Sequence, residues 1–214
     1  MSSVAIPRFS VYLFDVDGTL LDSAADICGA VREALEAEGV TGLSQEYLQS
    51  FIGFHLFDLF EEVLPSYSRE EHERVLANYR KIYLARGHSS TRVYDGVPEM
   101  LSKIGGRKST ATTKSSETAR NILTQFGLVS HFDHVQGTDG FPSKPEPNVI
   151  YKSFEALGVR PEECLMIGDS APDMEAGRRA GVKTCGVRYG YGNIAEMEAH
   201  KPDFWIESPL ELVS

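Results

Sequence analysis

The chain has 214 residues, of which 42% are hydrophobic, and a formal net charge of −10. This length predicts one large domain or a core domain with a modest insertion. The negative charge and the lack of a basic run argue against a nucleic-acid surface, because binding a phosphate backbone requires a basic footprint. No apolar stretch approaches the ~20 residues that span a bilayer, and the first residues do not resemble a secretory signal. We therefore expect a cytoplasmic protein without membrane association.

The first predicted strand ends at two acidic residues. The apolar residues 11–14 lead into Asp15, and Asp17 follows one residue later. Gly18 indicates that the backbone turns sharply at this point. Two close carboxylates repel each other unless a cation lies between them, so the pair favours chemistry on a phosphate ester. For this segment alone, a surface turn rich in Asp and Gly is an equally good interpretation.

The next part of the chain has helical periodicity. Apolar residues recur at helical spacing within residues 27–35 and again within residues 56–64. Ser68 followed by Glu71 predicts a capping box at the start of a third helix. Because no strand pattern of comparable strength interrupts residues 22–92, they predict a small helical bundle inserted into another domain.

Short apolar strands alternate with helices in the remainder of the chain, which predicts a parallel sheet covered on both faces. The candidate strands after the first are residues 109–113, 134–136, 165–168, 184–187 and Phe204–Ile206. We therefore predict an α/β fold, a doubly wound, Rossmann-like parallel sheet of residues 1–21 and 93–214, with an all-helical cap of residues 22–92. Open parallel sheets bind ligands at the carboxyl ends of their strands, where Asp15 is expected.

Two further polar segments also come after predicted strands. Thr112 and Thr113 precede a predicted helix start, where hydroxyls and backbone N–H groups can hold a phosphate oxygen, although helix capping is the commoner use. Lys144 lies in a short loop that two prolines stiffen. A rigid lysine near carboxylates is a phosphate anchor, and an isolated lysine would otherwise be a solvated surface residue.

Two more acids, Asp169 and Asp173, follow the strand of residues 165–168. Asp173 falls in a first helical turn, where a charge that stabilises the helix dipole is the alternative interpretation. Together with Asp15 and Asp17 these acids place up to four negative charges around one site, which requires a hard divalent cation and a lysine. Oxygen ligands favour Mg²⁺ over zinc, and neither the histidines nor the cysteines show metal-ligand spacing.

The segments DVDGTLLDS, ATTK, SKPEP and IGDSAPD, in this order, resemble the four motifs of the haloacid dehalogenase-like hydrolase superfamily. The helical insertion after the first motif resembles the cap of its phosphoglycolate phosphatase-like and β-phosphoglucomutase-like branch. The resemblance implies a Mg²⁺-dependent phosphatase that acts on a small phosphorylated metabolite through an aspartyl-phosphate intermediate. Phosphoglycolate, a nucleotide and pyrophosphate are candidate substrates, and the oligomeric state is left open between monomer and homodimer.

The resemblance also implies roles for the motif residues. Asp15 is the nucleophile, and Asp17 is the general acid for the leaving group and then the base for water. Thr112, with Thr113 as the alternative, holds a phosphoryl oxygen. Lys144 neutralises the nucleophile and the phosphoryl group.

The implied metal ligands are the carboxylates of Asp15 and Asp169 and the backbone carbonyl of Asp17. Asp173 supports the metal either directly or through water. The resemblance thus assigns all four acids to one magnesium site.

In the cap, Gly53, Phe54 and His55 resemble a loop that touches the leaving group and selects the substrate, although a packing role is the commoner use of a histidine. A phosphomutase is the main rival, but such relatives favour an apolar residue in place of Thr19 and need a basic cap contact, which is not evident. Phosphonate hydrolysis would need a cap lysine, and Lys81 lies late in the insertion. A non-catalytic phosphate-binding or interaction module is the alternative of another class.

Overall fold

The computed structural model describes residues 6–214, so residues 1–5 of the predicted core lie outside the described part of the chain. The strands and helices, in chain order, are β1 (Val11–Phe14), β2 (Leu21–Asp22), α1 (Ala24–Glu36), α2 (Gln45–Gln49), α3 (Leu56–Val63), α4 (Arg69–Ala85), β3 (Arg92–Val93), α5 (Val97–Lys103), β4 (Arg107–Thr110), α6 (Ser116–Gln125), α7 (Asn148–Leu157), β5 (Cys164–Gly168), α8 (Ala171–Ala180), β6 (Lys183–Val187), α9 (Ile194–Ala199) and β7 (Phe204–Ile206). None of the helices within residues 6–214 is long and apolar enough to cross a bilayer.

Five strands form one parallel sheet in the order β4-β1-β5-β6-β7. The four residues of β1 are all buried, as expected for a strand covered on both faces. Their side chains alternate between two hydrophobic cores: Tyr12 and Phe14 belong to one, and Val11 and Leu13 belong to the other. This arrangement confirms the predicted α/β fold with a parallel, Rossmann-like sheet.

The edge strand β4 and its neighbourhood differ from the prediction for residues 109–113 and 134–136. β4 begins two residues earlier and ends at Thr110, and His134 contributes only an isolated bridge to Ser109. The hydroxyl of Thr110 donates to the carbonyl of Gln136 and accepts from its N–H, both at 2.8 Å. The side chain thus satisfies the backbone groups that a sixth strand would have paired in a ladder.

The helices α1 to α4 lie between the two short strands β2 and β3, which pair antiparallel with Leu21 opposite Val93. They enclose a hydrophobic core of their own, whose fully buried members include Cys28, Leu35, Leu59, Phe60 and Val75. The predicted capping box between Ser68 and Glu71 is present at the start of α4. We propose that this helical unit is the cap of residues 22–92 on the core of residues 1–21 and 93–214, because only two short strands link them.

Candidate active site

Three buried carboxylates meet at the carboxyl edge of the sheet. The N–H of Asp15 donates to the carbonyl of Ile167 at 2.9 Å, which continues the pairing of β1 with β5 and holds Asp15 beside the end of β5. Asp169 follows β5, and Asp173 lies in the first turn of α8. One oxygen from each of the three carboxylates lies within 4.8 Å of the others. Buried carboxylates this close repel unless a cation is shared among them.

Lys144 supplies one cation to this group. Its ammonium lies 2.9 Å from Asp15 Oδ1 and 2.5 Å from Asp173 Oδ1, and its side chain is fully buried. The other oxygen of Asp173 accepts from the N–H of Ser170 at 3.0 Å and from the Ser170 hydroxyl at 2.5 Å. Both oxygens of Asp173 therefore already have partners within the protein.

The surroundings of the other two acids raise their pKa. Burial raises the pKa of Asp15 to about 7, with Lys144 opposing this rise and Asp173 adding to it. Burial, Asp173 and Asp15 raise the pKa of Asp169 well above its usual value. Within residues 6–214, Asp15 Oδ1 accepts no hydrogen bond of good geometry, although Lys144 lies at ion-pair distance. A buried, under-coordinated cluster of carboxylate oxygens fits a hard cation such as Mg²⁺.

Backbone segments approach Asp169 closely. Thr19 Oγ1 donates to Asp169 Oδ1 at 3.3 Å, and the N–H of Tyr191 donates to Oδ2 at 2.8 Å. A Cβ on Gly18, whose φ is +80°, would lie 2.1 Å from Asp169 Oδ2, and a Cβ on Gly190 would lie 2.3 Å from Asp169 Cβ. Glycine is therefore required at both positions. The loop after β6 was not predicted as part of the site, and its only local signal is the Gly-Tyr-Gly sequence of residues 190–192.

The side chain of Asp17 lies outside the group of three carboxylates. The hydroxyl of Ser23 donates to Asp17 Oδ1 at 2.5 Å, and Lys114 Nζ lies 3.1 Å from Asp17 Oδ2. The Asp17 side chain is 8% exposed, so this ion pair is largely removed from water. The two acids of the first motif thus have different cationic partners, Lys144 for Asp15 and Lys114 for Asp17.

Lys114 connects the core to the cap. Its ammonium donates to the hydroxyl of Tyr83 on α4 at 2.9 Å and lies 4.4 Å from the centre of that ring. Burial would lower the pKa of Lys114, but Asp17 together with Tyr83 and Tyr79 outweighs burial and holds it above its usual value. The role of Lys114 was not predicted, because its partner Tyr83 is remote in sequence and no local pattern relates the two.

The two candidate threonines take different positions. Thr112 is fully buried, its hydroxyl accepts from the N–H of Lys114 at 3.3 Å, and its carbonyl accepts from the hydroxyl of Thr138 at 3.0 Å. Thr113 is partly exposed and lines the cavity beside Asp17. The choice between Thr112 and Thr113 as the phosphate contact therefore stays a prediction.

A cavity of about 440 Å³ extends from Asp17 to the cap, and the predicted loop residues Gly53, Phe54 and His55 line it. Gly53 has a φ of +98°, and a Cβ there would lie 2.8 Å from the Ser170 side chain, so the cap loop lies directly against the core. The His55 Nδ1 accepts from the N–H of Phe57 at 3.2 Å and caps α3, while the ring also faces the cavity. Burial lowers the pKa of His55, which favours the neutral ring that this hydrogen bond requires.

Comparisons with known proteins agree with this geometry. A family model described as haloacid dehalogenase-like hydrolase matches residues 12–187. The chain is 36% identical over 207 residues to a phosphoglycolate phosphatase of Aquifex aeolicus, covering 95% of this chain and 94% of the relative. It is 35% identical over 202 residues to a 5′-nucleotidase of Pseudomonas aeruginosa, covering 91% and 90% respectively. A solved structure described as a predicted phosphatase from Clostridium acetobutylicum superimposes with a TM-score of 0.89 at 29% identity, covering 96% of this chain and 97% of that chain.

The chain therefore belongs to the haloacid dehalogenase-like hydrolases, and the resemblance seen in its four motifs is confirmed. Within this family it is a phosphatase, a phosphoric monoester hydrolase, because its homologues over almost the whole chain are phosphatases.

Proposed function

We propose that the protein hydrolyses a small phosphorylated metabolite in a Mg²⁺-dependent reaction that forms an aspartyl phosphate on Asp15. The observation that supports this most strongly is the buried group of Asp15, Asp169 and Asp173 with Lys144 between two of its members. A structural role alone would not favour three carboxylates within 4.8 Å of one another. A non-catalytic phosphate-binding module would have no need of an acidic residue at the phosphate.

The metal would be held by the carboxylates of Asp15 and Asp169 and by the backbone carbonyl of Asp17. Both oxygens of Asp173 have partners at 2.5 to 3.0 Å, whereas within the described part of the chain Asp169 Oδ1 has only the 3.3 Å bond from Thr19. Support of the metal by Asp173 is therefore favoured through water over direct ligation. When bound, Mg²⁺ supplies positive charge that stabilises the phosphoryl oxygens. Each of these donors is an oxygen, as this cation prefers.

In the first step, the carboxylate of Asp15 attacks phosphorus, and the bond from phosphorus to the leaving oxygen breaks. Lys144 lies 2.9 Å from this carboxylate, so it reduces the repulsion between two anions and orients the nucleophile. The hydroxyl of Thr112 or Thr113 donates a hydrogen bond to a phosphoryl oxygen. Asp17 enters this step in its protonated form and transfers the proton to the leaving oxygen, so that a neutral alcohol departs.

In the second step, Asp17 removes a proton from water, and the water oxygen attacks phosphorus. The bond between phosphorus and Asp15 breaks, which releases inorganic phosphate and restores the carboxylate. Ser23 and Lys114 hold the Asp17 side chain through one oxygen each, at 2.5 and 3.1 Å. The Asp17 carboxyl group can therefore serve both steps, first as the acid and then as the base, without changing its position.

The experiment compares p-nitrophenyl phosphate turnover by the wild-type protein and by Asp15→Asn and Asp17→Asn variants, each with Mg²⁺ and with EDTA. We expect Asp15→Asn to lower kcat by at least about 10³-fold. Asp17→Asn should release about one equivalent of p-nitrophenol in a burst and then turn over slowly, because this leaving group needs little acid assistance while hydrolysis still needs the base.

Circular dichroism of each variant provides the control for folding. Equal rates of product release from the wild-type protein and Asp15→Asn would contradict the enzyme mechanism. Undiminished turnover in EDTA would contradict the metal dependence.

The phosphomutase alternative has one structural observation in its favour. Arg80 on α4 lines the cavity and provides the basic cap contact that was not evident from the sequence. Phosphorylated sugars assayed for both isomerised sugar phosphate and free phosphate separate the two reactions. We expect free phosphate to predominate, and a predominance of isomer would establish the mutase instead.

A further inference from the structure

One face of α4 forms part of the cavity wall on the cap side. Its members follow the three- and four-residue spacing of a single helix face, and they are Leu76, Tyr79, Arg80, Tyr83 and Leu84. Four of these side chains are apolar or aromatic. Arg80 is the one cation that this face presents to the cavity.

The side chain of Arg80, an exposed residue, forms neither an ion pair nor a hydrogen bond among residues 6–214. The other two arginines inside the same helix are paired: Arg69 with Glu73 at 3.1 Å and Arg74 with Glu38 at 2.9 Å. The charge of Arg80 contributes to the lowered pKa of His55, after burial as the main cause, so the guanidinium lies near His55, which also lines the cavity. A guanidinium at a cavity without an internal counterion is free to bind an anion.

The acids that line the cavity do not supply this counterion. Asp17 is held by Lys114 and Ser23. Asp139 accepts from the N–H of Ser116 at 2.9 Å and from its hydroxyl at 2.5 Å. Both carboxylates thus already have partners other than Arg80.

The position of the cavity decides which part of a substrate enters it. In the proposed function, Asp17 protonates the leaving oxygen, so the rest of the leaving group extends from Asp17 into the adjoining space. Lys114 lies at the near end of that space, 3.1 Å from Asp17, and Arg80 lines the same cavity from α4. A leaving group in this cavity therefore meets two cations.

We propose that Lys114 and Arg80 form a subsite for a second anionic group carried by the leaving part of the substrate, a carboxylate or a further phosphate. This inference rests on the proposed function and narrows its substrate class to phosphate compounds with a second negative charge. Arg80 binds the anion through its planar fork of N–H donors. Lys114 contributes positive charge from the core side.

The test compares phosphoglycolate with 2-hydroxyethyl phosphate, which replaces the carboxylate by a neutral hydroxymethyl group. We expect the wild-type protein to prefer phosphoglycolate. In Arg80→Gln, the ratio of kcat/KM for phosphoglycolate over 2-hydroxyethyl phosphate should fall about 10- to 100-fold, mainly through KM, as expected for loss of a charge-assisted hydrogen bond. Arg80→Lys should retain part of the ratio.

Lys81→Gln is the matched control, because Lys81 is the next residue of α4, is exposed and does not line the cavity. It removes the same charge and should leave the ratio unchanged. A second arm uses pyrophosphate in place of phosphoglycolate and identifies whether the anionic group is a phosphate or a carboxylate. If Arg80→Gln lowers the kcat/KM ratio over 2-hydroxyethyl phosphate for either phosphoglycolate or pyrophosphate, the result supports the subsite.

The possible failures are distinguishable. Suppose that the wild-type protein hydrolyses p-nitrophenyl phosphate, but that Arg80→Gln has the wild-type kcat/KM ratios for phosphoglycolate and for pyrophosphate over 2-hydroxyethyl phosphate. The proposed subsite is then wrong, and the proposed function stands. An equal fall in Lys81→Gln would also overturn the subsite, because the effect would then come from overall charge. If the wild-type protein hydrolyses none of these compounds, the proposed function itself fails.

Discussion

Lys144 lies between two buried carboxylates, and this position determines how a substitution there would act. The ammonium satisfies oxygens of Asp15 and Asp173 at the same time. Removing one partner of a buried ion pair leaves an uncompensated charge away from water, which costs far more than the net contribution of the intact pair. Stability and catalysis therefore both depend on this residue.

We expect Lys144→Met to lower the free energy of unfolding by about 3–5 kcal/mol in metal-free buffer. Lys152→Met is the control, because the Lys152 to Glu155 pair is half-exposed and should contribute about 0–1 kcal/mol. Urea unfolding followed by circular dichroism measures both. Equal losses in the two variants would contradict the buried-network interpretation.

For individual residues of the site, the sequence predicts the position of those that directly follow a strand better than the position of those that contact a distant segment. Asp15 and Asp169 could be placed at one edge, because each comes directly after an apolar strand. Lys114 and Tyr191 could not be assigned, because their contacts join the core to α4 and to the start of α1. Such contacts depend on tertiary packing and leave no periodic or local pattern in the chain.

Among the elements, the continuous apolar strands are the ones that the sequence predicts well. β5, β6 and β7 lie at or within a residue of their predicted bounds. β4 differs because its sequence, Arg-Lys-Ser-Thr, has no apolar alternation, and its pairing with β1 decides its position. The short helix α2 was missed because five residues give too little periodicity to detect.

The start of α1 is fixed by a side chain from the opposite end of the chain. The N–H groups of Ser23 and Ala24 donate to the hydroxyl of Tyr191, at 2.5 and 3.0 Å, and that hydroxyl donates to Asp22 Oδ1 at 2.7 Å. The N-cap Ser23 makes no side-chain cap bond, since its hydroxyl is engaged with Asp17. Tyr191 thus takes over the capping role at the junction of core and cap.

Tyr191→Phe should therefore lower the free energy of unfolding by about 1–3 kcal/mol, because two backbone donors lose their acceptor. Tyr67→Phe is the matched control, since its hydroxyl donates only to Glu38 and its loss should lower the free energy of unfolding by less than the loss of the Tyr191 hydroxyl. Thermal or urea unfolding measures the difference between the variants. Equal stability of Tyr191→Phe and the wild-type protein would show that Tyr191 is not the cap of α1.

For the whole molecule, the proposed metal site links ligand binding to folding. Asp15, Asp169 and Asp173 come together only in the folded chain, because they derive from different strands and a helix. A cation that binds this arrangement binds the native state alone and stabilises it by mass action.

At a Mg²⁺ concentration of about 100 times Kd, the stabilisation should be about 2.7 kcal/mol, which corresponds to a rise in Tm of about 5–10 °C for a protein of this length. Asp169→Asn should lose most of this rise, and Asp95→Asn, outside the acidic group, should keep it. Differential scanning calorimetry at matched ionic strength, with NaCl in place of MgCl₂, measures the effect. A similar rise with NaCl, or an undiminished rise in Asp169→Asn, would contradict the site.

The cavity-facing side of α4 has a consequence for the divergence of such enzymes. The five residues of this wall belong to one helix, whereas Asp15, Lys144 and Asp169 belong to other segments. Apart from Tyr83, which holds Lys114, these positions can therefore change without altering the groups placed at the phosphate. A library that randomises only Leu76, Arg80 and Leu84, and keeps Tyr79 in the cap core and Tyr83 against Lys114, would sample new selectivities in a constant catalytic background. This offers a short mutational path from one phosphorylated compound to another.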